Sequence, residues 1–131
     1  MRDILFRAKS GQTWYYGGVH REKRYCGSIE SNDYRYRWHI ITDEGDEYRV
    51  RPDTICQYTG LNDKNGTKIF EGDIVKTEQI ISVLGTNIFA VEYVHGNYFI
   101  RYNSTVLSLF SVNESAEVIG NIYDNPELIE G

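Results

Sequence analysis

Tyr34-Arg35-Tyr36-Arg37-Trp38-His39-Ile40 decides how the rest of the chain is read. Apolar and aromatic side chains alternate with charged ones at a period of two, the pattern of a half-buried strand. Tyr34, Tyr36, Trp38 and Ile40 fall on one face; Arg35, Arg37 and His39 fall on the other. Asp43-Glu44-Gly45-Asp46 interrupts the alternation as a turn, and Glu47–Arg51 resumes it, so residues 34–51 form a hairpin. Upstream, Ile4-Leu5-Phe6-Arg7 and Trp14-Tyr15-Tyr16 flank Lys9-Ser10-Gly11-Gln12, a second hairpin that Gly17-Gly18 ends. Residues 20–33 are polar and read as a long loop. Pro52 stops the strand before it. Residues 53–58 admit either one helical turn capped by Asp53 or an extended crossing.

The same logic runs through the second half. Asp63-Lys64-Asn65-Gly66 contains Asn-Gly, which predicts a type I′ hairpin turn with both residues at positive φ. Strands are expected at 68–71, 74–84, 88–94, 98–102, 105–112 and 117–123, with turns at Gly72-Asp73, Gly85-Thr86-Asn87 and His95-Gly96-Asn97. Asn125-Pro126 suits the start of one closing helical turn. No long segment has a 3.6-residue period, which excludes a helical bundle and a doubly wound sheet. The expected fold is mainly β, in two subregions, 1–60 and 61–131, sharing one core. The first holds N-terminal β hairpins and the second a small barrel, as its short, evenly spaced strands suggest.

The chain has 131 residues, enough to bury about two-thirds of its unfolded surface without a disulfide or metal staple. Aromatic residues make up 14%, including eleven tyrosines, which argues against disorder. No run approaches a membrane span, and the N-terminus lacks the apolar core of a signal peptide. The formal net charge of −5 conceals an asymmetry. Residues 1–51 carry ten Lys or Arg against eight Asp or Glu, whereas residues 67–131 carry three against nine. The acidic half opposes binding to phosphate; the first half leaves an opening for nucleic acid.

Candidate chemistry is sparse. Cys26 and Cys56 stand thirty residues apart, outside any CxxC pair, and read as free thiols of a reduced compartment. His20, His39 and His95 are scattered, with no helical i,i+4 partner, so a metal site is not expected. Asp43-Glu44-Gly45-Asp46-Glu47 clusters four carboxylates, which read as a solvated hairpin tip. Asp63-Lys64-Asn65-Gly66 lacks the Glu that closes a calcium loop. Gly72-Asp73 reads as a bend in which the Asp73 side chain accepts a hydrogen bond. No nucleophile–base pair, P-loop or dinucleotide fingerprint is present, so no enzyme, cofactor or catalytic residue is expected. Arg35, Arg37 and His39 are weak candidates for nucleic-acid contact. Single-strand binders line one groove with both cations and aromatics, and here alternation separates the two.

Val50-x-Pro52-x-Thr54-x-x-Gln57-Tyr58-Thr59-Gly60-Leu61-x-Asp63-Lys64-Asn65-Gly66, followed by Ile69-Phe70-Glu71-Gly72-Asp73-Ile74-Val75, resembles the signature of the YopX family of phage and prophage proteins. Met1-Arg2-Asp3-Ile4-x-Phe6-Arg7-Ala8 and Glu117–Leu128 are similar to that family's two ends. Cys56 departs from the pattern, where a small residue such as Gly is expected. The resemblance implies a prophage setting in the cytoplasm of a bacterial host cell, and a C-terminal part similar to SH3-like barrels. It carries over no catalytic residues and no assigned function. Together the readings predict a non-catalytic module that binds a host or phage protein, with nucleic acid as the alternative partner and no membrane. Unpaired edge strands offer a route to a homo-oligomer.

Overall fold

The computed structural model describes residues 4–25, 34–78, 87–102 and 105–129. They form eleven strands joined by turns and short 3₁₀ segments, with no α-helix among them. The ladders among the described residues are antiparallel, so the mainly β expectation holds. The chain divides into two compact units, Ile4–Gln57 and the part from Tyr58 onward.

In the first unit, β1 (Phe6–Ser10) and β2 (Thr13–Tyr25) form one hairpin, and β3 (Tyr34–Ile41) and β4 (Glu47–Val50) another. β2 continues far past Gly17-Gly18. It pairs with β1 from Thr13 to Gly17 and with β3 from Gly18 to Tyr25. Gly17 permits this exchange of partner, because a Cβ there would sit 1.9 Å from the Ile41 carbonyl oxygen. Residues 20–25 are therefore strand, not loop; the remainder of the expected loop, 26–33, lies outside the described residues. On β3, Tyr36 and Trp38 face Arg21 of this segment, whose guanidinium lies over both rings. Ala8, Ile40 and Val50 form the buried centre, with Tyr15, Val19, Trp38, Tyr48 and Ile55 packed on it.

After Val50, residues 52–54 make one 3₁₀ turn. Asp53 does not cap it. Instead buried Thr54 accepts the Lys9 amide at 2.9 Å and donates to the Arg51 carbonyl at 2.7 Å. β5 (Cys56–Asn62) follows: its start pairs with β1, and Tyr58 lies opposite Phe70 of β6 (Lys68–Phe70).

The second unit carries an open five-stranded sheet in the order β10-β9-β8-β7-β11. These are β7 (Asp73–Thr77), β8 (Ile88–Val94), β9 (Asn97–Tyr102), β10 (Thr105–Ser108) and β11 (Ala116–Asn121). With β10 and β11 at opposite edges, the described residues do not close into the expected barrel. Strand 74–84 is seen only to Thr77; 79–86, with most of the expected turn at 85–87, lie outside the described residues. Residues 109–111 turn as 3₁₀ instead of continuing the strand. This unit has its own core of Ile69, Val75, Phe89, Val91, Tyr98, Ile100, Leu109, Val112 and Ala116, so buried apolar residues form two clusters, not one.

The type I′ turn occurs at another place than expected. His95 (φ 49°) and Gly96 (φ 86°) are both left-handed, and Val94 pairs with Asn97 across them. At Asn65-Gly66 only Gly66 has positive φ, at 81°. The Asp63 side chain sets that turn: Oδ1 accepts the amides of Asn65 and Thr67, and Oδ2 that of Val118, each at 2.9 Å. Asp73 accepts the Phe70 amide at 2.8 Å, as the bend reading expected. Asn125 and Pro126 open a closing 3₁₀ turn (Pro126–Leu128) as expected, but the Asn125 side chain does not bond into it; its Oδ1 accepts the Asn121 amide at 3.2 Å.

Candidate functional site

The family-like central stretch is thus spent on backbone hydrogen bonding. Surface chemistry concentrates in the unit Ile4–Gln57. Its first feature is an open cleft of about 320 Å³ lined by Trp14, Tyr15 and Tyr16 of β2, Tyr48 of β4, and Thr42, Asp43, Glu44 and Asp46 of the β3–β4 turn. Hairpin geometry makes it. β2 brings three consecutive aromatics, and the turn closed by Gly45 N–H to Thr42 O folds its acids beside them. Tyr15 and Tyr48 stack with centroids 3.8 Å apart. Desolvation, and then the charge of Asp46, push the Tyr48 phenol above its usual range. Arg7 and Lys9 lie over the Trp14 ring at 4.8 and 5.6 Å. Tyr16 is 48% exposed, and Asp43, Glu44 and Asp46 are exposed. The acidic hairpin tip therefore borders a cleft as well as solvent.

The second feature is the paired stretch of β2 and β3 beyond β4. Alternation places Tyr36 and Trp38 on the face expected, but Tyr36 is 47% exposed and Trp38 only partly buried. Only Ile40, nearer the core, is fully buried. The cation on that face comes from the other strand: the Arg21 guanidinium lies 4.0 Å from the Tyr36 centroid and 5.7 Å from that of Trp38. Cation and aromatics do share a face, which the reading of β3 alone missed because residue 21 was assigned to a loop.

Of the predicted contact residues, Arg35 has its backbone opposite Arg24, and its side chain lies outside the described residues. Arg37 is opposite Glu22. His39 is opposite His20, and their rings stack with centroids 5.0 Å apart. Glu47 Oε1 lies 2.7 Å from His20 Nε2 and 3.3 Å from His39 Nδ1, and Glu22 Oε2 lies 3.2 Å from His39 Nε2. His39 thus belongs to a mixed histidine–carboxylate cluster with His20, Glu22 and Glu47. Cys56 is buried and its thiol donates to the Thr54 carbonyl at 3.2 Å; Cys26 lies outside the described residues.

In the second unit, a cavity of about 340 Å³ is lined by residues including Thr59, Leu61, Asn97, Tyr98 and Phe110. Phe110 is 78% exposed. No helix among the described residues is long and apolar enough to cross a membrane.

No curated protein matches the chain. Among solved structures, it is similar to the crystal structure of protein EF1440 from Enterococcus faecalis, at 24% sequence identity and a TM-score of 0.58, covering 99% of this chain and 100% of that one. That likeness supports the fold. The family model described as YopX protein matches residues 5–130, nearly the whole chain, and the chain therefore belongs to the YopX family.

Proposed function

We propose that the chain is a non-catalytic binding module that takes a lysine or arginine side chain of a partner protein into the cleft between β2 and the β3–β4 turn. One observation carries this reading: Tyr15, Tyr16 and Tyr48 and three exposed acidic residues line one space of about 320 Å³. Aromatic faces attract cations through their quadrupole, and carboxylates add direct charge complementarity. With two cations already over Trp14, the exposed acids of the β3–β4 turn supply the charge that a ligand cation meets. A prophage role follows from the family resemblance, with a host or phage protein as the partner.

The test is binding of fluorescent lysine- and arginine-containing peptides to the wild type and to the Asp43→Asn, Glu44→Gln, Asp46→Asn triple variant. The expected result is salt-sensitive binding that weakens about tenfold or more in the variant. Equal affinity in both proteins, or preference for acidic peptides, contradicts the proposal.

A second reading has its own support. Arg21, Tyr36 and Trp38 join a cation to aromatics on one face, as single-stranded nucleic-acid binders do. Salt-dependent oligonucleotide binding by the wild type, lost in Arg21→Glu with Tyr36→Ala but retained in the carboxylate variant, would place this reading first.

A further inference from the structure

The histidine–carboxylate cluster on the other face of β2 and β3 has no part in either reading. His20 and His39 occupy one cross-strand position, and Glu47 sits diagonally on the same face, because Ile41 is its direct partner and His39 is paired with Arg49. His20, His39 and Glu47 offer one ligand atom each, all within 4.8 Å of one another, and Glu47 Oε1 lies against His20 Nε2 and His39 Nδ1. We propose that these three residues bind a zinc ion, with Glu22 orienting His39 from behind.

The surroundings of His39 favour a bound cation. Both its ring nitrogens face carboxylates: Nδ1 faces Glu47 Oε1 at 3.3 Å and Nε2 faces Glu22 Oε2 at 3.2 Å. A neutral imidazole has a single N–H. When that hydrogen goes to Glu22, the Nδ1 lone pair confronts a carboxylate oxygen, and a cation between the two resolves the repulsion. The carboxylate–histidine–metal relay has this arrangement: the outer acid fixes the tautomer and the other nitrogen coordinates. Two imidazole nitrogens and one carboxylate oxygen suit zinc, with a fourth position left for water or a partner's donor.

The distances are close to those required. Tetrahedral zinc, with bonds of about 2.0–2.1 Å, separates its ligand atoms by roughly 3.4 Å. The Glu47–His39 separation already fits. The Glu47–His20 contact of 2.7 Å must open slightly, and the stacked rings must turn toward each other. His20 and Glu47 are exposed, so rotamer changes suffice. Arg37 and Arg49 share this face by register and lower its affinity for a dication, but they leave the donor set intact.

The experiment uses tag-free, full-length protein, titrated with zinc against a chromophoric chelator and separately with cobalt. The expected result is one ion per chain, with visible cobalt d–d bands and no thiolate charge-transfer band. His39→Ala and Glu47→Gln should each weaken zinc binding at least tenfold, and Glu22→Gln by about 10–100-fold, with unchanged circular dichroism. Should one of these variants lose its fold, His20→Ala supplies the same comparison. Absence of zinc binding in competition with the chelator overturns the proposal. So does unchanged affinity in the folded variants, or a thiolate band that assigns the metal to cysteine.

Discussion

The unit Ile4–Gln57 and the unit from Tyr58 onward use the same antiparallel pairing for different ends. The first buries a small centre of Ala8, Ile40 and Val50 and leaves aromatics, cations and acids at its surface. The second gathers nine buried residues in one core cluster and directs two buried carboxylates, Asp63 and Asp73, at its own backbone. A carboxylate occupied by amides specifies a turn; one that faces a cleft can specify a partner. Regions that look most characteristic in sequence thus need not be where recognition occurs.

The largest expected effect tests the second unit as framework. Phe89, 1% exposed, lies in its core, and Phe89→Ala should destabilise by about 3–5 kcal/mol in urea unfolding. A loss below about 1 kcal/mol would break the contrast. Asp63→Ala leaves three backbone amides without their acceptor and should cost about 3–4 kcal/mol, read the same way. A cost within about 0.5 kcal/mol would mean that the amides find water as readily, and that Asp63 is a surface residue in effect.

Two smaller effects sharpen the comparison at the backbone. Gly17→Ala sets a methyl group against the Ile41 carbonyl and should cost about 2–3 kcal/mol, with loss of amide protection in β3. Normal protection from hydrogen exchange there would remove the account of how β2 changes partner. Gly66→Val has open space around it but a φ of 81°, and should cost about 1–3 kcal/mol from backbone strain alone. An unchanged urea midpoint would show that the turn relaxes to another form. Tyr36→Ala, at an exposed ring, should change stability by less than about 1 kcal/mol. A larger loss would make the Arg21–Tyr36 stack part of the framework, not of the surface.

Much of this fold was legible. Alternation in Tyr34–Ile40 located β3, and the turn residues Asp43–Asp46 located its hairpin. Two errors have one cause: local signals were outvoted by side chains elsewhere. Residues 20–25 lack an apolar face, yet pair with β3 because Arg21 packs on Tyr36 and Glu22 lies opposite Arg37. Asn65-Gly66 has the composition of a type I′ turn, but the Asp63 carboxylate holds the amides of Asn65 and Thr67 in another geometry. The barrel expectation counted strands correctly in kind but not their closure, since turn spacing says nothing about which edges meet. The site was less legible. His20 and Glu47 are 27 positions apart and join only through the β2–β3–β4 register, which the loop reading of residue 20 had hidden. The acids of the β3–β4 turn were seen, but not the three aromatics of β2 beside them.

The central claim is that recognition belongs to the unit Ile4–Gln57 while the other unit supplies framework. Backbone amide chemical shifts, followed while a lysine-containing peptide is added to the isotopically labelled chain, test it most directly. The account predicts perturbations concentrated at Trp14–Tyr16 and Thr42–Tyr48, absent in the triple carboxylate variant. Perturbations centred instead on the cavity at Thr59, Tyr98 and Phe110, and persisting in that variant, would contradict it.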